Sequence, residues 1–160
     1  MDIKTADLSD EFDSLVQVAE PLFQNYGGIK SFGGQTVTLK VFEDNSLVRQ
    51  EVESDGRGRV LVVDGGGSLR CSLVGDQVAK LACDNSWAGL IINGCIRDIA
   101  DVAAIQLGVK ALNTIPKRSF KRGSGERQIT VHFASVSFEP DHYVYADEDG
   151  VLVAAQNLLQ

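Results

Sequence analysis

The chain has 160 residues, the length of one domain, and can bury roughly 70% of its unfolded surface without a disulfide or structural metal. Hydrophobic residues make up 44% and charged residues 23%, ordinary globular usage that excludes a disordered chain. The formal net charge of -7 sets up a negative field that repels a phosphate backbone, so no direct nucleic-acid binding is expected.

The N-terminal MDIKTADLSDEF is acidic and lacks the apolar stretch of a signal peptide, and no apolar run approaches the length of a membrane span. A cytoplasmic location without membrane attachment is expected. Thr5 followed by ADLSDEF reads as a short capped helix. Pro21 and Gly27-Gly28 then break the chain. Gln35 to Phe42 (QTVTLKVF) alternates and is β-branched, which predicts a strand. Asp44 to Glu53 is weakly helical, with Asn45 or Ser46 as the cap. After a turn at Gly56–Gly58, Arg59 to Val63 is a short apolar run suited to a buried strand, ended by Asp64 and Gly65-Gly66-Gly67.

Periodicity predicts a helix from Asp76 to Trp87, a buried strand from Gly89 to Ile92, a second helix from Asp98 to Leu107 and a strand from Val109 to Ile115. Strand and helix alternate here, which implies a βαβ core with parallel pairing. Gln128 to Phe138, Tyr143 to Ala146 and Val151 to Ala155 read as antiparallel strands, with turns at Pro140-Asp141 and Glu148-Asp149-Gly150. No internal boundary is visible, so a single α/β domain over residues 1–160 is expected.

Cys71, Cys83 and Cys95 lie twelve apart with no C-x-x-C pair, which fits reduced, buried thiols. His132 sits inside an alternating strand and reads as half-buried and structural; His142 sits in a turn and reads as exposed. The cluster Lys117, Arg118, Lys121 and Arg122 reads first as a solvated loop, with docking of an acidic partner as the alternative. The triple glycine lacks both phosphate-binding fingerprints and reads as a loop allowing close backbone packing.

Ligands of α/β sheets bind beyond the carboxyl ends of the strands. One such end leads to Gly75-Asp76 at a helix start; the other runs Asn93-Gly94-Cys95-Ile96-Arg97-Asp98 into a second helix. A helix N-terminus offers unpaired N–H groups, Arg97 has a planar fork that matches a carboxylate, and Asp98 suits a hard divalent cation. Together these describe a site for a small keto acid, its carboxylate held by Arg97 and its carbonyl polarised by the ion. As residue types alone, Asp76 and Asp98 equally suit ordinary helix N-terminal positions.

The stretch GRGRVLVVDGGGSLRCSLVGDQVAKLACDNSWAGLIINGCIRD, with NYGGIKSFGGQTVTLKVFEDN before it and DHYVYADEDGVLVA after it, resembles the family of the regulator of ribonuclease activity A (RraA-like). That family also contains class II 4-hydroxy-4-methyl-2-oxoglutarate aldolases. The resemblance spans nearly the whole chain. It implies a swivelling β/β/α domain with mixed sheets, assembled as a homotrimer. Its aldolase members carry an aspartate, twenty intervening residues and Arg-Asp, a pattern completed here by Asp76 and Arg97-Asp98. By this resemblance Gly75, Asp76, Gln77, Val78 and Arg97 contact substrate, and Arg97 and Asp76 are catalytic. Asp98 ligates a divalent cation, Mg²⁺ or Mn²⁺. The implied reaction cleaves 4-hydroxy-4-methyl-2-oxoglutarate to two pyruvates, with oxaloacetate decarboxylation as a secondary activity through the same enolate. Longer aldolase members bring an acidic residue from extra C-terminal chain to a neighbouring subunit's site; this chain stops at Gln160, so decarboxylation is expected to be the firmer activity. The alternative implied by the family is a protein-binding regulator that inhibits an RNA-degrading endonuclease.

Overall fold

The structure is a computed structural model that describes residues 2–160. Helix α1 (Thr5–Glu11) opens the chain, and its N-terminus is capped from far along the sequence. The Thr5 N–H donates to Asp147 Oδ2 at 2.8 Å and the Thr5 hydroxyl to Oδ1 at 2.6 Å. Two short strands follow, β1 (Val16–Val18) and β2 (Gln24–Asn25), neither evident from periodicity.

The centre is the predicted parallel βαβ core. Strands β3 (Phe32–Lys40), β4 (Val60–Asp64), β5 (Ser72–Val74), β6 (Gly89–Ile96) and β7 (Gly108–Thr114) carry it. Helix α2 (Ser46–Val52) joins β3 to β4, α3 (Asp76–Asp84) joins β5 to β6, and α4 (Ile99–Ala103) joins β6 to β7. The pairs β3–β4, β4–β6, β5–β6 and β6–β7 are all parallel. The last third is antiparallel. It comprises β8 (Glu126–Arg127), β9 (Val131–Phe133), β10 (Val136–Phe138), β11 (Tyr143–Ala146) and β12 (Val151–Ala154). The main sheet runs β1-β12-β11-β3-β4-β6-β7-β2, with β5 beside β6 and β8 beside β3. Strand β3 is the joint: residues 32–35 pair with β11 and residues 36–40 with β4.

The sheet is buried on both faces, which is why β4 is apolar at successive positions. Leu61 and Val63 face one layer, packed with Val48 and Val52 of α2, Val78, Ala79 and Ala82 of α3, and Val102 of α4. Val60 and Val62 face the other way, onto the β9–β10 hairpin through Val131, Val136 and Phe138. A smaller cluster docks α1 on β11 and β12 through Leu8, Tyr145 and Leu152. The result is a mixed α/β domain of helix, sheet and second β layer, in agreement with the β/β/α expectation. Among the described residues, no helix is long and apolar enough to cross a membrane.

Four local readings are corrected. Helix α3 stops at Asp84, because Ser86 takes a left-handed φ of 66° and closes a Schellman motif: Trp87 N donates to Ala82 O at 3.0 Å and Ser86 N to Cys83 O at 3.2 Å. Helix α4 is little more than a turn, and β6 runs on to Ile96, sustained by β5 and β7 on either side. The stretch from Gln128 to Phe138 is a hairpin turning at Ala134 and Ser135, whose φ values of 53° and 60° are those of a tight two-residue turn. His132 is therefore exposed, its Nδ1 2.8 Å from Ser137 Oγ, while His142 is half-buried against Glu139.

Candidate active site

Strands β5 and β6 are parallel neighbours, with Ser72 opposite Cys95 and Val74 opposite Ile96, so their carboxyl ends open side by side. The Arg97 N–H donates to Val74 O at 2.9 Å, carrying the ladder one residue past β6. Helices α3 and α4 leave from these two ends, which places Gly75, Asp76, Arg97 and Asp98 together at the topological position where α/β sheets bind ligands.

Asp98 has φ 58° and ψ 41°, a left-handed backbone that non-glycine residues adopt at an energetic cost and that aspartate tolerates better than most. Its carboxylate turns back towards the start of α3, where Oδ2 accepts the Asp76 N–H at 3.1 Å. Gly75 leaves the room for this. A Cβ at residue 75 would stand 2.6 Å from Asp98 Oδ2 and 3.5 Å from Arg97 Cγ. The glycine is required sterically and not by its backbone, since its φ of -125° suits any residue.

The Gly75–Val78 segment is the first turn of α3, not a free loop. The Val78 side chain is buried in the core and Gln77 is exposed on the helix. Both contribute backbone N–H groups that have no protein acceptor among the described residues, adding a partial positive charge beside Asp98. Arg97 is half-buried and its Nη1 donates to Pro116 O at 3.3 Å. Its side chain divides two depressions. One, of about 280 Å³, also includes Asp98, Thr114 and Pro116. The other, of about 420 Å³, is lined by Ser72, Arg118, Ser119 and Lys121.

The donor set bears on which ion fits. Among the described residues, no group of three or more His, Cys, Asp or Glu gathers in the manner of a zinc centre. What the site offers is the Asp98 carboxylate, exposed to solvent, and the neighbouring Asp76. That suits a hard cation such as Mg²⁺ or Mn²⁺, which takes one or two protein carboxylates and keeps water and substrate oxygens as its other ligands.

Sequence reasoning missed the wall formed by residues 117–121. The basic residues Lys117, Arg118, Lys121 and Arg122 are exposed, as a solvated loop predicts, but the backbone beneath them is fixed. Ser72 N donates to Lys117 O at 2.8 Å, Phe120 N to Glu43 O at 2.8 Å, and Asn45 N to Phe120 O at 3.2 Å. Asp44, buried at 2% exposure, accepts N–H groups from Arg122 at 2.7 Å and Ser124 at 3.3 Å. Burial pushes the Asp44 carboxyl up, but hydrogen bonds from Ser46, Arg122 and Ser124 outweigh it and hold it below the usual aspartate range. The one available signal was the crowding of four cations within six residues of a strongly acidic chain. The cysteines play no part: Cys71 and Cys95 are buried, and burial raises both thiols, the opposite of an activated nucleophile.

Residues 5–153 match the RraA-like family model, described as Aldolase/RraA. A Dechloromonas aromatica protein carrying the provisional name 4-hydroxy-4-methyl-2-oxoglutarate aldolase is 56% identical over 99% of both chains. Among solved structures, one named S-adenosylmethionine:2-dimethylmenaquinone methyltransferase, from Geobacillus kaustophilus, superposes with a TM-score of 0.96 at 51% identity over 98% of each chain. The RNA-processing inhibitor RraA from Thermus thermophilis superposes with a TM-score of 0.94 at 38% identity, covering 100% of this chain and 98% of that one. Close relatives by sequence or by fold thus carry three different names, so the site must argue the chemistry.

Proposed function

The chain belongs to the Aldolase/RraA family, and from that membership we propose that it is a divalent-metal-dependent lyase that cleaves 4-hydroxy-4-methyl-2-oxoglutarate to two pyruvates. The observation that carries the reading is the convergence of Arg97, Asp98 and the start of α3 over Gly75, at the adjoining carboxyl ends of β5 and β6.

Asp98, with Asp76 beside it, would hold the cation, which when bound supplies Lewis acidity towards the 2-oxo group. Arg97 orients the 2-oxo acid end of the substrate and, permanently charged, faces the oxygen on which negative charge develops. A water held by Asp76 accepts the proton of the C4 hydroxyl. The C3–C4 bond then breaks: C4 becomes the carbonyl carbon of one pyruvate, and the electron pair of the broken bond passes to the other fragment as pyruvate enolate. Protonation at C3 completes the second pyruvate. Loss of CO₂ from oxaloacetate leaves the same enolate, so Arg97 serves that reaction equally.

The test is pyruvate release from 4-hydroxy-4-methyl-2-oxoglutarate and from oxaloacetate, with and without Mg²⁺ or Mn²⁺, in the wild type and in Asp98→Ala. Metal-dependent release that disappears in the variant is expected; release no faster than with the metal alone would sink the reading. The likeness to the Thermus inhibitor favours a second reading, binding of an RNA-degrading endonuclease, and the acidic surface suits a basic partner segment. Inhibition of RNA cleavage that persists in Asp98→Ala would separate that role from catalysis.

A further inference from the structure

The larger depression beside Arg97 has a composition that the cleavage site itself does not use. Its polar lining is Asn45, Ser72, Arg97, Arg118, Ser119 and Lys121, so cations meet there without a carboxylate, in a chain of net charge -7. Neither Arg118 nor Lys121 forms an ion pair among the described residues. Both sit on backbone fixed to β5 and to the Glu43–Asn45 turn, so they cannot disperse at no cost. Ser119 supplies an independent sign: it is 8% exposed, and its Oγ has no hydrogen-bond partner, the one such buried side-chain atom among the described residues. An orphaned hydroxyl beside unpaired cations leaves a donor set that an oxyanion satisfies.

We propose that this cavity is the subsite for the second carboxylate of the substrate, with Arg118 and Lys121 neutralising it and Ser119 donating to it. The proposal rests on the lyase reading for its geometry. Arg97 borders both depressions, so a substrate whose 2-oxo acid end lies at Arg97 and Asp98 extends its far end towards Arg118. Arg118 and Lys121 are thereby assigned as the contacts that favour a carboxylate over a methyl group at the cleaved end.

Calorimetric titration with Mg²⁺ present tests this with two ligands that lack a C4 hydroxyl and so cannot be cleaved: 2-oxoglutarate and 2-oxopentanoate. They differ only in a terminal carboxylate against a methyl group. The wild type is expected to prefer 2-oxoglutarate by about tenfold or more, the scale of one or two charge-assisted hydrogen bonds. Ser119→Ala should shrink that preference, and Arg118→Gln combined with Lys121→Gln should bring the ratio close to one with an unchanged unfolding midpoint. Equal affinities in the wild type, no binding of either ligand, or a preference that survives in the double variant would each overturn the subsite. Pyruvate release measured alongside keeps the two ideas apart. A strong preference without cleavage removes the lyase reading alone, and cleavage without a preference removes the subsite alone.

Discussion

Gly75 is where one methyl group tests the site. Alanine accepts the backbone conformation there, so the fold should survive, at a cost of no more than about 2 kcal/mol for the altered helix cap. Its Cβ, however, would stand 2.6 Å from Asp98 Oδ2, and the carboxylate must move. Misplacement of a reacting group by about 1 Å costs on the order of a hundredfold in rate. Gly75→Ala should therefore lower kcat/KM by about that factor and raise the Mg²⁺ concentration needed for half-activity; wild-type metal dependence would show that Asp98 is not the ligand. Arg97→Lys keeps the charge but loses the planar fork, and a fall in kcat of about a hundredfold or more is expected. A lysine variant with wild-type turnover would limit Arg97 to its contact with Pro116 O.

At the scale of elements, two hydrogen-bonded carboxylates, Asp44 and Asp147, tie distant segments together. Asp147, in the turn between β11 and β12, caps α1 through both the N–H and the hydroxyl of Thr5. Asp147→Asn should cost about 1–2 kcal/mol in urea unfolding, the usual worth of a helix cap with a charge-assisted bond. Asp44 holds the 117–124 segment by the N–H groups of Arg122 and Ser124. In Asp44→Asn these two amides should exchange with solvent faster while those of β4 and β6 stay protected; unchanged exchange would mean that the backbone bonds of Phe120 suffice to hold the wall.

For the whole molecule, the same aspartates set the response to acid. Burial raises both, yet their hydrogen bonds leave both folded-state values below the ordinary one: those from Ser46, Arg122 and Ser124 at Asp44, and those from Thr5, Asp149 and Gly150 at Asp147. A depressed carboxyl contributes stability that is present above its unfolded value, about pH 4, and is lost as pH falls through its folded value. The urea midpoint should thus hold near neutral pH and fall below about pH 4. The Asp44→Asn and Asp147→Asn double variant should start lower and lose less on acidification. A midpoint as sensitive to acid as the wild type's would assign acid lability to other groups.

Local pattern was enough for the parts of this protein governed by local physics. Alternation predicted β3, and short continuous apolar runs predicted β4 and β6, because strands covered on both faces must be continuously apolar; β7 and the helices between completed the pattern. The Asp76 to Arg97-Asp98 pattern, supplied by the family resemblance, falls at the start of α3 and just past the end of β6. What sequence could not show was set by contacts between distant residues. Strand β5 is only three residues long and exists because β6 lies beside it. The β9–β10 turn uses Ala134 and Ser135 in a left-handed conformation that their residue types do not announce. Gly75 reads from sequence as a substrate contact, and only the fold shows that its missing side chain makes room for the Asp98 carboxylate. The basic cluster at residues 117–122 is exposed as its composition predicts, but the bonds from Ser72 and Asp44 that fix its backbone are not announced by composition. Composition and period determine which elements form, since each depends on a few successive residues. Only the tertiary structure decides which side chains meet across them, because packing, not spacing, closes the distance.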